Sequence, residues 1–452
     1  MAVPDRQHTD IALALTPSQR RRAITAVTIG TVLEYYDWIA YGVFAVYFAP
    51  QIFRAEDTTS ALLQSAVVFA VGFIVRPIGG VLFGWIGDRY GRKRALVISV
   101  VLTTAGTLLV AVVPTYASAG LVGPIMLSVA RIVQGIAYGG EYGAVATTLR
   151  EIAPPDRRGR YSSVIIFAVA VGQILAICVL LILNAFLSST QMREFGWRIP
   201  FVLAALGALV VVFLRRRMEE TPTFVRAAEA TDPGSRGSLA DLVRYNPRSV
   251  VLGILMVGGA NVSIYTWTVY IQKFLVNTVG LTVGRASTEA VVVLLVFGGT
   301  QPLWGYLADR FGIFRIAVLS LVGTAIVPIP FFYAMIGTNS STAAMILPLL
   351  AVLPIAVYCA LQQDMLTSLF PAERRVLGTG LTQSIGIALF GGTTELIALS
   401  FKSAGHEVGH FVYVAAIAAV ALLAAALLAR RGRDRADTVP ATSQHRRSAT
   451  SW

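Results

Sequence analysis

Charge is scarce along this chain: 13% of its 452 residues are Asp, Glu, Lys or Arg, against 56% that are hydrophobic. A water-soluble core cannot hide that much apolar surface, so the composition excludes an ordinary soluble domain and asks for lipid. Cysteine is nearly missing. Its two occurrences, Cys178 and Cys359, each lie inside an apolar run, which excludes a disulfide framework and a Cys-rich metal site. The four histidines, His8, His406, His410 and His445, fall in tails or near a helix end, so none is placed as a mid-membrane proton carrier. No Walker pattern occurs, and no nucleophile–base pair or metal-ligand cluster stands out. These gaps argue against an enzyme, a cofactor and a bound metal. Residues Met1 to Thr16 are polar and lack a cleavable signal pattern, so the first apolar span is expected to persist in the mature chain.

What the chain does contain is long apolar segments and a repeated hinge. Gly84-Trp85-Ile86-Gly87-Asp88-Arg89-Tyr90-Gly91-Arg92-Lys93-Arg94 returns, weakened, as Gly305-Tyr306-Leu307-Ala308-Asp309-Arg310-Phe311-Gly312-Ile313-Phe314-Arg315. Pro154-Pro155-Asp156-Arg157-Arg158 likewise recurs as Pro371-Ala372-Glu373-Arg374-Arg375. Two matched pairs in two halves mean that the chain was duplicated. At about 20 residues per crossing, the segments divide into spans near 23–48, 60–86, 95–115, 119–147, 161–187 and 197–217, then 249–277, 286–308, 315–336, 342–369, 377–402 and 407–430. The expected fold is an all-α integral membrane protein of twelve transmembrane helices in two pseudo-symmetric six-helix lobes. Its parts are a tail at 1–22, a lobe at 23–217, a central loop at 218–248, a lobe at 249–430 and a basic tail at 431–452, read as disordered and resting on anionic lipid.

The net charge of +13 would suggest nucleic acid in a soluble protein, but the cations cluster on alternate connections. Arg20 to Arg22, Arg89 to Arg94, Arg157 to Arg160, Arg215 to Arg217, Arg310 with Arg315, and Arg374 with Arg375 share one side. The positive-inside rule puts that side, both termini and the central loop in the cytoplasm. Residues 231–235 form a linker, and Gly237 to Tyr245 a short surface helix.

Polar side chains inside spans are costly, so they are the functional candidates. Glu34, Asp37 and Tyr41 share a face of the first span; the two acids either pair with an arginine to hold the lobe or serve protons or substrate. Tyr35, Tyr36, Trp38 and Tyr41 either line a cavity or form a packing seam. Arg76, too deep to snorkel, wants a carboxylate: Asp37, Glu34 or the substrate. Arg131, Gln134, Tyr138 and Glu141 form one stripe on the fourth span, functional or structural. Asn261, Tyr265, Thr268 and Gln272 share a face of the seventh, while Tyr270 and Lys273 are alternatively interfacial anchors.

The hinge resembles the signature loop of the major facilitator superfamily. Glu34-Tyr35-Tyr36-Asp37, Arg76-Pro77-Ile78-Gly79-Gly80, Gly139-Gly140-Glu141-Tyr142-Gly143, Gly196-Trp197-Arg198-Ile199-Pro200-Phe201 and Glu219-Glu220-Thr221-Pro222 narrow the resemblance to the metabolite:proton symporters, and Tyr265 to Thr278 to their α-ketoglutarate-importing branch. The chain departs from that branch at Tyr90, where a histidine is usual, and at Ile313-Phe314, where the second hinge lacks its basic form. The resemblance implies an inner-membrane importer of a small dicarboxylate with protons, by rocking of the lobes. Citrate, shikimate or a zwitterionic osmolyte are the alternative substrates, and a non-transporting sensor the alternative class. On this basis Arg76 and Arg131 are expected to clamp carboxylate, with Gln173, Tyr265 and Gln272 as polar contacts. Glu34, Asp37 and Glu141 are expected to carry protons, and Asp88, Arg89, Arg92 and Asp309 to gate. The expected partners are the substrate, protons and the bilayer, with the protein as a monomer and no nucleic acid bound.

Overall fold

Apolar side chains dominate every long segment, and in lipid a backbone that cannot bond to water must bond to itself, so these segments become helices. The computed structural model describes residues 15–54, 58–231, 236–337 and 341–437, and the regular structure among them is helical. The segment before residue 15, residues 232–235 of the linker, the end of the tail, and His8 and His445 lie outside the described residues.

The first lobe begins with α1 (Pro17–Ile52). Its start is fixed by a capping box in which the Thr16 hydroxyl accepts from the Gln19 N–H and the Gln19 side chain accepts from the Thr16 N–H. Next, α2 (Thr58–Ile74) and α3 (Arg76–Tyr90) make one crossing interrupted at Val75, because Pro77 has no N–H to continue the ladder. The lobe is completed by α4 (Arg92–Ala111), α5 (Val122–Ile152), α6 (Arg158–Phe186) and α7 (Ile199–Arg216). Within it α1 packs on α6 and α7, while α3 and α4 pack on α5.

Two short helices, α8 (Pro222–Ala230) and α9 (Leu239–Tyr245, capped by Ser238), carry the chain to the second lobe. There α10 (Pro247–Tyr265) runs through a π-helical turn at Thr266–Tyr270 into α11 (Ile271–Asn277). The pair α12 (Val283–Gly299) and α13 (Gln301–Phe311) is interrupted at Thr300 before Pro302, as the first lobe is before Pro77. Then come α14 (Ile313–Ile326), α15 (Pro328–Ile336), α16 (Ser341–Ser368) and α17 (Arg375–Gly386). A second π turn at Ile387–Gly391 leads towards α18 (Thr394–Ser403), and α19 (Val408–Asp437) ends the described chain. Gly91 (φ 111°) and Gly312 (φ 99°) close α3 and α13 at matched places, in backbone territory that glycine enters without a Cβ clash. The lobes meet where α17 lies on α3 and α5, and where α13 and α16 lie on α6.

Among the described residues eleven helices are long and apolar enough to cross a membrane. The remaining crossing is α1, whose 36 residues include Glu34 and Asp37. Leu63, Val67, Ile74 and Ile78 stand fully outward on α2 and α3, as side chains that face lipid do.

Three expectations are corrected. The tail does not lose its structure at residue 431, since α19 continues to Asp437. Arg215 is not a surface cation like Arg216 and Arg217: it is wholly buried, on the inward face that α7 builds from Ala204, Ala208 and Val211. The expected common face of Asn261, Tyr265, Thr268 and Gln272 is broken: Asn261 and Tyr265 both border Gly391, but the π turn inserts a residue before Gln272 and rotates it off that face.

Candidate functional site

The interruption before Pro77 leaves Arg76 at a helix start in mid-membrane. It faces a narrow cavity between the lobes, walled by Glu34, Tyr35 and Trp38 of α1, Tyr138, Gly139 and Tyr142 of α5, and Gln383, Ser384 and Ile387 of the α17 crossing. The guanidinium carbon of Arg76 lies 4.4 Å from the ring centres of both Trp38 and Phe73. Among the described residues it makes no ion pair, so neither Asp37 nor Glu34 neutralises it through direct contact. Aromatic faces hold the cation without satisfying its hydrogen-bond donors, which leaves it able to take an anion. Tyr265 of the second lobe comes within electrostatic reach of Arg76 and rests against Gly391.

A second narrow cavity lies inside the first lobe. Glu34, Asp37 and Glu141 line it together with Thr103 and Thr107, so Glu34 belongs to both cavities. Asp37 accepts from Gln134 Nε2 at 2.6 Å and from the Tyr138 hydroxyl at 3.0 Å, while its other oxygen and the Thr103 hydroxyl have no partner. Arg131, completely buried, stacks 3.7 Å over the Tyr41 ring beside Asp37. Glu141 pairs with Arg215.

On the hinge side the lobes are joined. Asp88 accepts from the N–H groups of Val376 (3.1 Å) and Leu377 (2.9 Å), the free donors at the start of α17 in the opposite lobe. Asp309 returns the arrangement, accepting from Gly159 N–H (2.6 Å) and Arg160 N–H (3.3 Å) at the start of α6, and from Arg160 Nε (2.9 Å). Arg92 backs Asp88 at 3.4 Å, binds Glu151 at 3.1 Å and donates to the Ala372 carbonyl of the second lobe at 2.7 Å. Arg375 adds a further bond to Glu151 at 3.0 Å. Glu220, in the connection after α7, accepts from Arg92 N–H (3.0 Å) and Lys93 N–H (3.2 Å), capping α4.

The structure thus brings Arg76 and Glu34 to the central cavity, leaves Tyr265 within electrostatic reach of Arg76 but outside the cavity lining, and places Asp37 and Glu141 one layer deeper. It does not bring Arg131 there: this arginine belongs to the Asp37 layer. Gln173 is half-buried on α6 and lines neither cavity. Gln272 donates to Ser287 Oγ at 2.7 Å, away from the cavity, because of the π turn. Of the gating set, Arg89 stacks on Trp85 and Tyr90 of its own helix and does not span the lobes. The aromatic cluster divides: Tyr35 and Trp38 line the cavity, while Tyr36 and Tyr41 are packed and bonded to the Pro200 and Ser65 carbonyls. Tyr270 donates to Glu407, and Lys273 pairs with Glu395. Sequence reasoning missed Gln383 and Ser384, polar residues in mid-span on the eleventh crossing, and Glu289, wholly buried on α12 with both oxygens unpartnered. Their signal was the one used elsewhere, a polar residue inside an apolar run.

An intramembrane chamber walled by two repeated lobes and shut on one side by reciprocal caps is the architecture of a membrane transporter. Residues 27–393 match the Major Facilitator Superfamily, and the chain belongs to it. It is 38% identical over 424 residues to the alpha-ketoglutarate permease of Escherichia coli (strain K12), covering 93% of this chain and 96% of that one. It is 32% identical to the citrate-proton symporter of Klebsiella pneumoniae over 93% of this chain and 94% of that one. In fold it is similar to the proton:xylose symporter XylE bound to 6-bromo-6-deoxy-D-glucose, with a TM-score of 0.76 at 18% identity, covering 90% of this chain and 95% of that one.

Proposed function

We propose that this protein imports a small dicarboxylate such as α-ketoglutarate together with protons, by alternating access. It would do so as a monomer in a bacterial inner membrane, with both termini and the hinge side in the cytoplasm. The observation that carries the reading is Arg76, a buried guanidinium with no carboxylate paired to it, in a cavity shared by the two lobes. A planar, permanently charged fork there suits a carboxylate in two-point contact. The similarity to two carboxylate transporters supports the same substrate class. On the positive-inside rule, the basic hinges give the orientation.

Counterflow in proteoliposomes with labelled α-ketoglutarate, citrate, shikimate and proline tests the proposal. Exchange of α-ketoglutarate is expected, and it should fall at least about 30-fold in Arg76→Ala, since removing one partner of a desolvated charge pair costs roughly 2–5 kcal/mol. Lysine at 76 should rescue poorly, because it lacks the fork. Proline exchange with inert carboxylates would replace the substrate class, and binding without exchange would make the protein a sensor.

A further inference from the structure

Three carboxylates meet in the first lobe, and each has different company. Asp37 has one oxygen taken by Gln134 and Tyr138, with Arg131 alongside. Glu141 is held by Arg215, whose Nη1 also donates to the Leu96 carbonyl at 2.8 Å. Arg215 reaches Glu141 by crossing α1 at Gly30, where any Cβ would overlap its Nη2. The remaining acid, Glu34, comes within hydrogen-bonding reach of the Glu141 carboxyl. Two carboxyl groups make such a bond when one proton is present for the pair. Arg215 holds Glu141 by direct contact, whereas Glu34 makes no ion pair among the described residues, so the proton of the pair is assigned to Glu34.

Glu34 also forms the wall between the cavities, since it lines the outer one beside Arg76 and the inner one beside Glu141. The charged and titratable groups facing it are Glu141, Tyr138 and Tyr142 on α5, Arg215 on α7 and Arg76 on α3, with Tyr35 next to it on α1. When Glu34 is ionised, its charge competes with a substrate carboxylate for the Arg76 guanidinium. When a proton from water converts it to the neutral acid, that competition ends.

We infer that Glu34, sharing its proton with an Arg215-locked Glu141, is the acid that couples protons to substrate, and that Arg76 is where anion and proton sense one another. This rests on the symport reading above and names the residues that would execute it. Anion and proton must then strengthen each other's binding by the same factor. Arg215 and Gly30 act through Glu141 and are positioning residues.

The test is the affinity of the purified full-length chain in lipid nanodiscs for α-ketoglutarate, titrated between pH 5.5 and 8.5. Wild-type affinity should weaken by up to about tenfold per pH unit above the midpoint, the limit for one linked proton. Glu34→Gln should be flat with pH, near the tight limit, and Asp37→Asn should keep the slope. Arg215→Gln should move the midpoint to higher pH by about one unit, because a carboxyl pair without its cation holds a proton more firmly, and Arg215→Lys should move it back. A merely structural Arg215 would lower the yield of folded protein and leave the midpoint in place. A persisting slope in Glu34→Gln, or its loss in Asp37→Asn, would overturn the assignment while leaving symport intact. A wild type that binds α-ketoglutarate without pH dependence, or does not bind it, would overturn the symport reading itself and this inference with it.

Discussion

Asp88 commits both carboxylate oxygens to two N–H groups at the first turn of α17, and it does so while completely buried. An asparagine keeps one acceptor and turns an NH2 group towards a backbone N–H, so Asp88→Asn leaves a buried donor unsatisfied. The loss is about 1–3 kcal/mol, borne by the hinge-closed state alone. The closed-to-open ratio should fall roughly 5- to 150-fold, read as a longer distance between spin labels at the exposed Tyr90 and Arg315, with α-ketoglutarate affinity changing far less. This lock was legible as one acid in a basic hinge, and Asp309 as its repeat. Arg215 was not legible as a lobe-interior cation, although a signal existed: it continues the spacing of Ala204, Ala208 and Val211, whereas Arg216 and Arg217 rotate off that face by about 100° each. A count of cations per connection ignores helical phase. Arg131 shows the same limit from the other side, since its face was right and its depth was not.

At the scale of elements, the connection after α7 is part of the hinge. Glu220 caps α4 through the Arg92 and Lys93 N–H groups, Thr221 donates its hydroxyl to Glu151, and Phe224 of α8 lies 5.0 Å from the Arg92 guanidinium carbon. Burial raises the Glu220 carboxyl above its ordinary value of 4.5, outweighing the N–H groups of Thr221, Lys93 and Arg92 and the Arg92 charge, which pull it down. The folded chain therefore binds this proton more tightly than the unfolded one does. The stabilising contribution is complete below pH 4.5 and is lost as pH rises through the folded value. Glu220→Gln turns an NH2 group towards one of these N–H groups but cannot ionise, so its deficit relative to wild type should narrow between pH 5 and 8, whereas Glu220→Ala should lose the whole cap, about 0.5–2 kcal/mol. Thermal midpoints at both pH values check the narrowing. Helices were visible in sequence as long apolar segments, whereas the interruptions before Pro77 and Pro302 had a signal in those prolines that the continuous spans 60–86 and 286–308 did not use. The π turns carry no such mark. Neither Thr266–Tyr270 nor Ile387–Gly391 contains a proline, and a single extra residue per turn leaves composition unchanged while it turns Gln272 away from the cavity.

For the whole molecule, a dianion entering a cell with a negative interior works against about 2.3 kcal/mol per charge per 100 mV. One proton per substrate would leave the voltage opposed to uptake, two would make transport electrically silent, and three would let the voltage drive it. At least two are expected, and Glu34 supplies the one linked to substrate binding. Reversal potentials in proteoliposomes give the count directly, and one proton per dianion would refute it. The two-lobed plan was the most legible feature, because duplication wrote the hinge twice. The seam was less so, since contacts such as the Gln363 amide donating to the Tyr142 hydroxyl at 3.2 Å join residues whose pairing no period in the sequence announces. The two hinge caps are also unequal. Asp88 is backed by Arg92, a side chain only 1% exposed, whereas Asp309 relies on Arg160, which is 41% exposed, and has apolar Ile313 where Arg92 stands in the first hinge. Dissolved ions reach one flank and not the other. The closure thus has a wet side whose strength follows ionic strength and a dry side that is indifferent to it, and a lobe that swings away should part first along the wet one.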